Sequence, residues 1–175
     1  ATKYVSFYAD AEKSGVNAMH AFNHFVGPEP RKKIKSFRSD NANEIRFAAK
    51  ELGIVHITST PERSQTNSKA ERKIRHVLEG ARCSLFQSGL PLCFWNFAGE
   101  HFCHAENIRR HFDKDGNPEP TAWFQRTGHE FNGLEIPLGA AIDYLPPKSW
   151  DVEKMDKNTI EGVFLGWKIN PGAKW

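Results

Sequence analysis

The period of the apolar positions changes repeatedly along the chain. Lys3 to Ala9 (Lys-Tyr-Val-Ser-Phe-Tyr-Ala) is aromatic and β-branched and predicts a strand. Val16, Met19, Phe22 and Phe25 recur near helical spacing, which predicts an amphipathic helix over residues 15–25. Gly27-Pro28-Glu29-Pro30 ends it. Residues 33–39 alternate weakly and predict a second strand. Residues 41–52 predict a helix, with Asn41 as cap, Glu44 in the capping-box position and Gly53 as the stop. Residues 54–58 predict a third short strand, and residues 60–67 are polar and irregular.

The strongest helical signal runs from Ser68 to Ser88. Ile74, Val77, Leu78, Ala81 and Leu85 form one apolar stripe, and Lys69, Arg72, Lys73 and His76 lie mostly off it. Gly89-Leu90-Pro91 breaks this helix. Residues 92–112 predict another, whose Phe94, Trp95, Phe97 and Phe102 are expected in the core. Asp113 to Pro120 is turn-rich, and short strands follow at 140–145 and 162–167. The alternation of strands and helices places the chain in the α/β class. It divides the chain into a main body over 1–112, a linker over 113–139 and a small β-rich C-terminal segment over 140–175.

Composition narrows this picture. With 39% hydrophobic and 26% charged residues, the chain is expected to be globular rather than disordered or membranous. The net charge of +3 says little, but its distribution says more. Arg31 to Arg38 carries five basic residues and no acid, and residues 62–82 carry six basic residues against three acids. Residues 143–175 are balanced. Cys83, Cys93 and Cys103 are odd in number and lack CxxC spacing, which favours a reducing, intracellular setting over secretion. No apolar run is long enough to span a membrane, and no signal peptide is expected.

Two carboxylates stand within the basic regions. Asp40 closes the run that ends Arg38-Ser39, and Glu71 opens the basic helix within Ala70-Glu71-Arg72-Lys73. Each has a plain structural role on its own. Asp is common in turns, and Ser68-Lys69-Ala70-Glu71 is a capping box in which Glu71 would fold back on the Ser68 amide. Together they suit a divalent metal working on a nucleic-acid phosphate, because carboxylates bind the hard cation and Lys and Arg bind the backbone.

The order of short motifs resembles the integrase of copia-type long-terminal-repeat retrotransposons. The likeness starts at Lys3-Tyr4 and Lys13-Ser14 and passes through Ile34-Lys35, Arg38-Ser39-Asp40-Asn41 and Glu44. It continues through Gly53-Ile54, His56, Pro61, Gln65, Asn67 and Ala70-Glu71-Arg72-Lys73. Gly89-Leu90-Pro91, Phe94-Trp95, Asn107-Ile108-Arg109 and Gly162-Val163-Phe164-Leu165-Gly166-Trp167 extend it. The resemblance implies a ribonuclease-H-like mixed sheet flanked by helices. It also implies Mg2+ or Mn2+ held by Asp40 and Glu71 as catalytic residues, with DNA bound by Asn67, Lys69, Arg72, Lys73 and Arg75. Metal-dependent strand transfer on DNA, a homo-oligomer and a nuclear location follow for the intact protein.

The chain departs from that pattern in three places. The first acid of the triad belongs on a strand before Lys3, so a truncated copy with its first strands missing, inactive by itself, is expected. Asp10 and Asp143 are misplaced to substitute. Thirty residues separate Asp40 from Glu71, fewer than the family's usual interval. Ala42-Asn43 and Ser68 stand where the family has glycines. The alternatives are a catalytically dead nucleic-acid-binding relic and a structural or interaction remnant. His20 and His24 have the spacing of a zinc pair but no CxxC follows, and His101, Cys103 and His104 point to different faces of one helix.

Overall fold

The computed structural model describes residues 3–58, 68–147, 150 and 157–175. The element order is α1 (Gly15–Val26), α2 (Pro30–Lys33), β1 (Ser36–Ser39), α3 (Asn43–Leu52), β2 (Val55–Thr58) and α4 (Ser68–Ser88). Then come α5 (Trp95–Ile108), β3 (His111–Phe112), β4 (Pro118–Glu119), α6 (Ala122–Thr127), β5 (Ala141–Tyr144) and β6 (Ile160–Val163). Helices and small sheets alternate, as the α/β reading requires. β1 and β2 pair in parallel, while β3–β4 and β5–β6 are antiparallel.

The first half is a βαβ unit covered by a helix. Parallel strands need a crossover, and α3 supplies it between β1 and β2. The Ser14 hydroxyl caps α1 by accepting from the Asn17 amide at 3.1 Å. Helix α1 packs on α3, and its Phe22 ring meets Phe37 of β1 with centroids 4.7 Å apart. Gly53 ends α3 in the left-handed region at φ 61°, as its position predicts.

The second half is a helical hairpin. Ala81 and Leu85 of α4 form a core with Ala98 of α5 and Leu138, and Leu90 and Phe94 pack against it. Gly80 lets the Phe102 ring press on α4, since a Cβ there would stand 2.1 Å from that ring. An aromatic cluster follows. Trp123 is fully buried, and its ring meets those of His104 and Phe131 with centroids 5.5 and 5.4 Å away. Phe131 also meets Trp167 and Trp175 near the end of the chain.

Residues 3–9 lie between the halves, and they are not a strand. A strand needs a neighbouring backbone, and here a side chain takes that part. The Asn107 carboxamide accepts from the Val5 amide at 2.8 Å and donates to the Val5 carbonyl at 2.6 Å. Tyr4 packs near Phe25 and Trp123, and Phe7 lies against Gly99 and Trp95. Arg126 of α6 stacks over Tyr4 and Phe25 and donates to the Phe25 carbonyl.

Other predicted boundaries move for local reasons. The strand expected over 33–39 survives only at 36–39, because Pro30 opens a helical turn before it. The helix expected from Asn41 starts at Asn43 with Ala42 as its N-cap. With the cap at Ala42, Glu44 falls at the second helical position rather than the third and forms no capping box, and its carboxylate pairs with Lys13 at 2.8 Å. The helix expected over 92–112 divides into a 3-10 turn at Leu92–Phe94 and α5, and residues 111–112 enter a hairpin whose tip is the turn-rich 113–117. The strand expected at 162–167 is Ile160–Val163, with Phe164 extending its pairing through Ala140. The expected aromatic core of α5 is half true. Trp95 is 51% exposed, and the buried positions are Ala98, Gly99, Cys103 and Asn107, whose small or polar side chains receive rings from neighbouring segments.

Candidate metal and nucleic-acid site

Asp40 follows directly on β1, at the carboxyl end of the parallel pair. In open α/β sheets this edge is where ligands bind. The register sets Phe37 opposite His56, and their rings stack at 4.6 Å with planes 4° apart. The stacking delivers His56 to Ser39, whose Oγ lies 2.8 Å from Nε2. That hydroxyl also donates to the Asp40 carbonyl at 2.8 Å. Its single proton being used, Nε2–H of His56 is the donor in the other bond. The backbone at Asp40 is thus fixed through β2.

A cation stands beside this edge. Lys13, just before the α1 cap, reaches Glu44 in the first turn of α3. Its ammonium pKa is raised, first by the hydrogen bond it donates to Glu44 and least by Asp40. The same bond holds the Glu44 carboxyl below its ordinary value. Asp40 itself is exposed.

Glu71 lies in the first turn of α4 and is exposed. Lys69, Arg72 and Arg75 on the same helix are exposed as well, and Arg72 Nε donates back to the Ser68 carbonyl at 3.2 Å. Lys73 points elsewhere, with Nζ 3.9 Å from Glu106 of α5. Glu106 also takes His76 at 2.8 Å and Arg109 at 2.9 Å. Burial pushes the Glu106 carboxyl up, but the hydrogen bonds from His76 and Arg109 and the nearby Lys73 charge outweigh it and hold its pKa below the ordinary value. Asn67, also expected at the nucleic acid, lies outside the described residues, as does the connection over 59–67 between the two carboxylates. Pro61 and Gln65 fall in the same stretch.

No hydrogen bond or ion pair joins Asp40 to Glu71 among the described residues. Nor does any group of three or more His, Cys, Asp or Glu side chains there converge as a metal site. The donor chemistry nonetheless suits a hard divalent ion. Both groups are carboxylates, both are exposed, and Mg2+ commonly takes only one or two protein carboxylates besides phosphate and water.

The residues that sequence reasoning missed are Lys13, Glu106 and Asn107 in their actual roles. Lys13 gave no local signal, because Glu44 is 31 positions away, and of Glu106's contacts only the one with Arg109 is local, whereas His76 is 30 positions away. His24, one of the two histidines at zinc-pair spacing, contacts a tyrosine. It meets the Tyr8 hydroxyl at 3.2 Å, with the rings edge to face. Buried Cys103 has its thiol pKa pushed up to about 12 by desolvation, which makes it inert as a nucleophile or ligand at neutral pH. No helix among the described residues is long and apolar enough to cross a membrane.

The chain is similar to a short stretch of several plant transposon polyproteins. The retrovirus-related Pol polyprotein from transposon RE1 of Arabidopsis thaliana is 27% identical over 185 residues, covering 98% of this chain and 12% of that protein. The retrovirus-related Pol polyprotein from transposon TNT 1-94 of Nicotiana tabacum is 33% identical over 153 residues, covering 83% and 11%. That from transposon RE2 of Arabidopsis thaliana is 31% identical over 101 residues, covering 55% and 7%. The chain therefore spans about a tenth of the length of the curated relatives it matches. No protein-family model matches it, and no solved structure matches it. The similarity supports a retrotransposon Pol origin for the sequence.

Proposed function

We propose that this chain is part of the catalytic core of a retrotransposon integrase with a ribonuclease-H-like fold, and that it binds DNA. One observation carries the reading. Asp40 sits at the carboxyl edge of a parallel βαβ unit, and Glu71 sits in the first turn of a 21-residue helix whose exposed face is basic. Lys69, Arg72 and Arg75 bind phosphate along that helix, and Asn67 lies beside them in sequence. Asp40 and Glu71 would hold Mg2+ or Mn2+, which supplies Lewis-acid stabilisation to the attacking and leaving oxygens of an in-line displacement at phosphorus. His56 and Ser39 keep the Asp40 backbone in place, and Lys13 offsets the negative charge of Asp40 and Glu44 while no cation is bound. The intact protein acts as a homo-oligomer in the nucleus on element ends and target DNA.

A titration of Mn2+ into the chain, followed by paramagnetic broadening, tests the metal site. Broadening should centre on Asp40 and Glu71 and disappear in Asp40→Asn. Broadening elsewhere, or none, removes the metal assignment. Strand transfer by the chain joined to its upstream sequence tests the catalysis, and an Asp40→Asn variant as active as the parent would end it.

The lack of a three-ligand group among the described residues favours a second reading, a nucleic-acid-binding relic without catalysis. It predicts DNA affinity that falls with salt and ignores Asp40 and Glu71.

A further inference from the structure

Helix α4 carries a row of side chains that its pairing with α5 leaves open. Arg72, Arg75, Glu79, Arg82 and Phe86 follow one another at steps of three and four residues, so they share one face. All five are exposed, whereas Val77, Ala81 and Leu85 are the buried positions of the same helix. No ion pair or hydrogen bond engages Arg75, Glu79 or Arg82 among the described residues. Phe86 stands 91% exposed at the end of the row, one helical turn beyond Arg82.

Resting on the nucleic-acid reading above, we propose that this row is a track for single-stranded nucleic acid. Arg75 and Arg82 hold two phosphates of one strand, and an unpaired base stacks on Phe86. The two arginines lie seven residues apart, about 10 Å along the axis. Guanidinium groups bind phosphate through paired donors, and an aromatic ring adds stacking that any base can satisfy. The choice of a single strand follows from Phe86. A duplex keeps its bases stacked on each other and offers no free face to an outer ring, whereas an unpaired base does. Glu79 opposes phosphate, so the strand runs on the Arg75–Arg82 side of it.

Fluorescence anisotropy with oligothymidylate and with a duplex of equal length, without divalent metal, tests the track. Phe86→Ala should weaken single-strand binding about tenfold and leave the duplex unchanged, and Phe86→Trp should restore or tighten it. Arg75→Gln and Arg82→Gln should each lower the salt slope for the single strand by about 0.7. Glu79→Gln should tighten binding. Phe86 touches little, so each variant should keep the parent's circular dichroism. Single-strand binding by Phe86→Ala equal to the parent, or lost equally on the duplex, overturns the track while leaving DNA binding by the chain in place. Binding to neither probe overturns both.

Discussion

The two halves of the molecule hold one candidate carboxylate each, and they are stabilised differently. The α4–α5 hairpin has a filled interface: Ala81, Leu85, Ala98 and Leu138 pack together, and Glu106 of α5 takes His76 and Lys73 of α4 across it. The βαβ half has a two-stranded sheet with Val55 62% and Ile57 42% exposed. Its order comes from α1 lying on α3 and from the Phe22–Phe37–His56 stack. Residues 3–9 and the aromatic cluster bind the halves together. Glu71 thus belongs to a self-sufficient element, whereas Asp40 belongs to a small sheet that leans on its surroundings.

The largest test of this contrast is acid. Burial lowers the His104 pKa to about 4, with His101 adding to it, and neither ring nitrogen has a hydrogen-bond partner among the described residues. Unfolded, the ring titrates near 6.5. The unfolded chain therefore takes up the proton first as pH falls. The contribution is complete above 6.5 and is lost between 6.5 and about 4, up to about 3 kcal/mol. Urea melts across that window should show this loss, and His104→Phe should abolish it while keeping a ring against Trp123. An equal pH slope in the variant would place the acid sensitivity elsewhere.

Asn107→Leu tests the join between the halves. It leaves the Val5 amide and carbonyl without their partner, at a cost of about 2 kcal/mol. Amide exchange should rise at Val5 and its neighbours before it rises in α4 or α5. Uniform acceleration would mean that the halves open as one unit.

The smallest effect is expected at Lys13→Gln. Its ion pair with Glu44 is solvent-exposed on the lysine side, and such pairs add little to stability. The melting temperature should stay put while Mn2+ affinity at Asp40 rises, since a competing charge is gone. Weaker Mn2+ binding would instead make Lys13 a supporting group.

Helix α4 was legible because its signal is local: a three- and four-residue apolar stripe between a polar stretch and Gly89-Leu90-Pro91 defines Ser68–Ser88 without help. The same holds for α1 and for the Gly53 stop. Lys3–Ala9 was not legible as it stands, because a strand pattern states only that a chain prefers an extended shape. Whether it joins a ladder depends on a partner, and the partner turned out to be Asn107, 102 residues away. Glu44 was misassigned because the cap falls on Ala42 instead of Asn41, which takes Glu44 off the capping-box position and leaves it to pair with Lys13, 31 positions away.

The sequence by itself determined the helices, the basic surroundings of Asp40 and Glu71, and the resemblance that joins them. These depend on side-chain period and on residue order, both of which are written along the chain. Only the tertiary structure decided that Lys73 turns to Glu106, that Arg75, Arg82 and Phe86 stay open, and that a buried carboxamide stands in for a strand. Those outcomes rest on contacts between distant elements, where burial and unpaired polar groups select one partner among many.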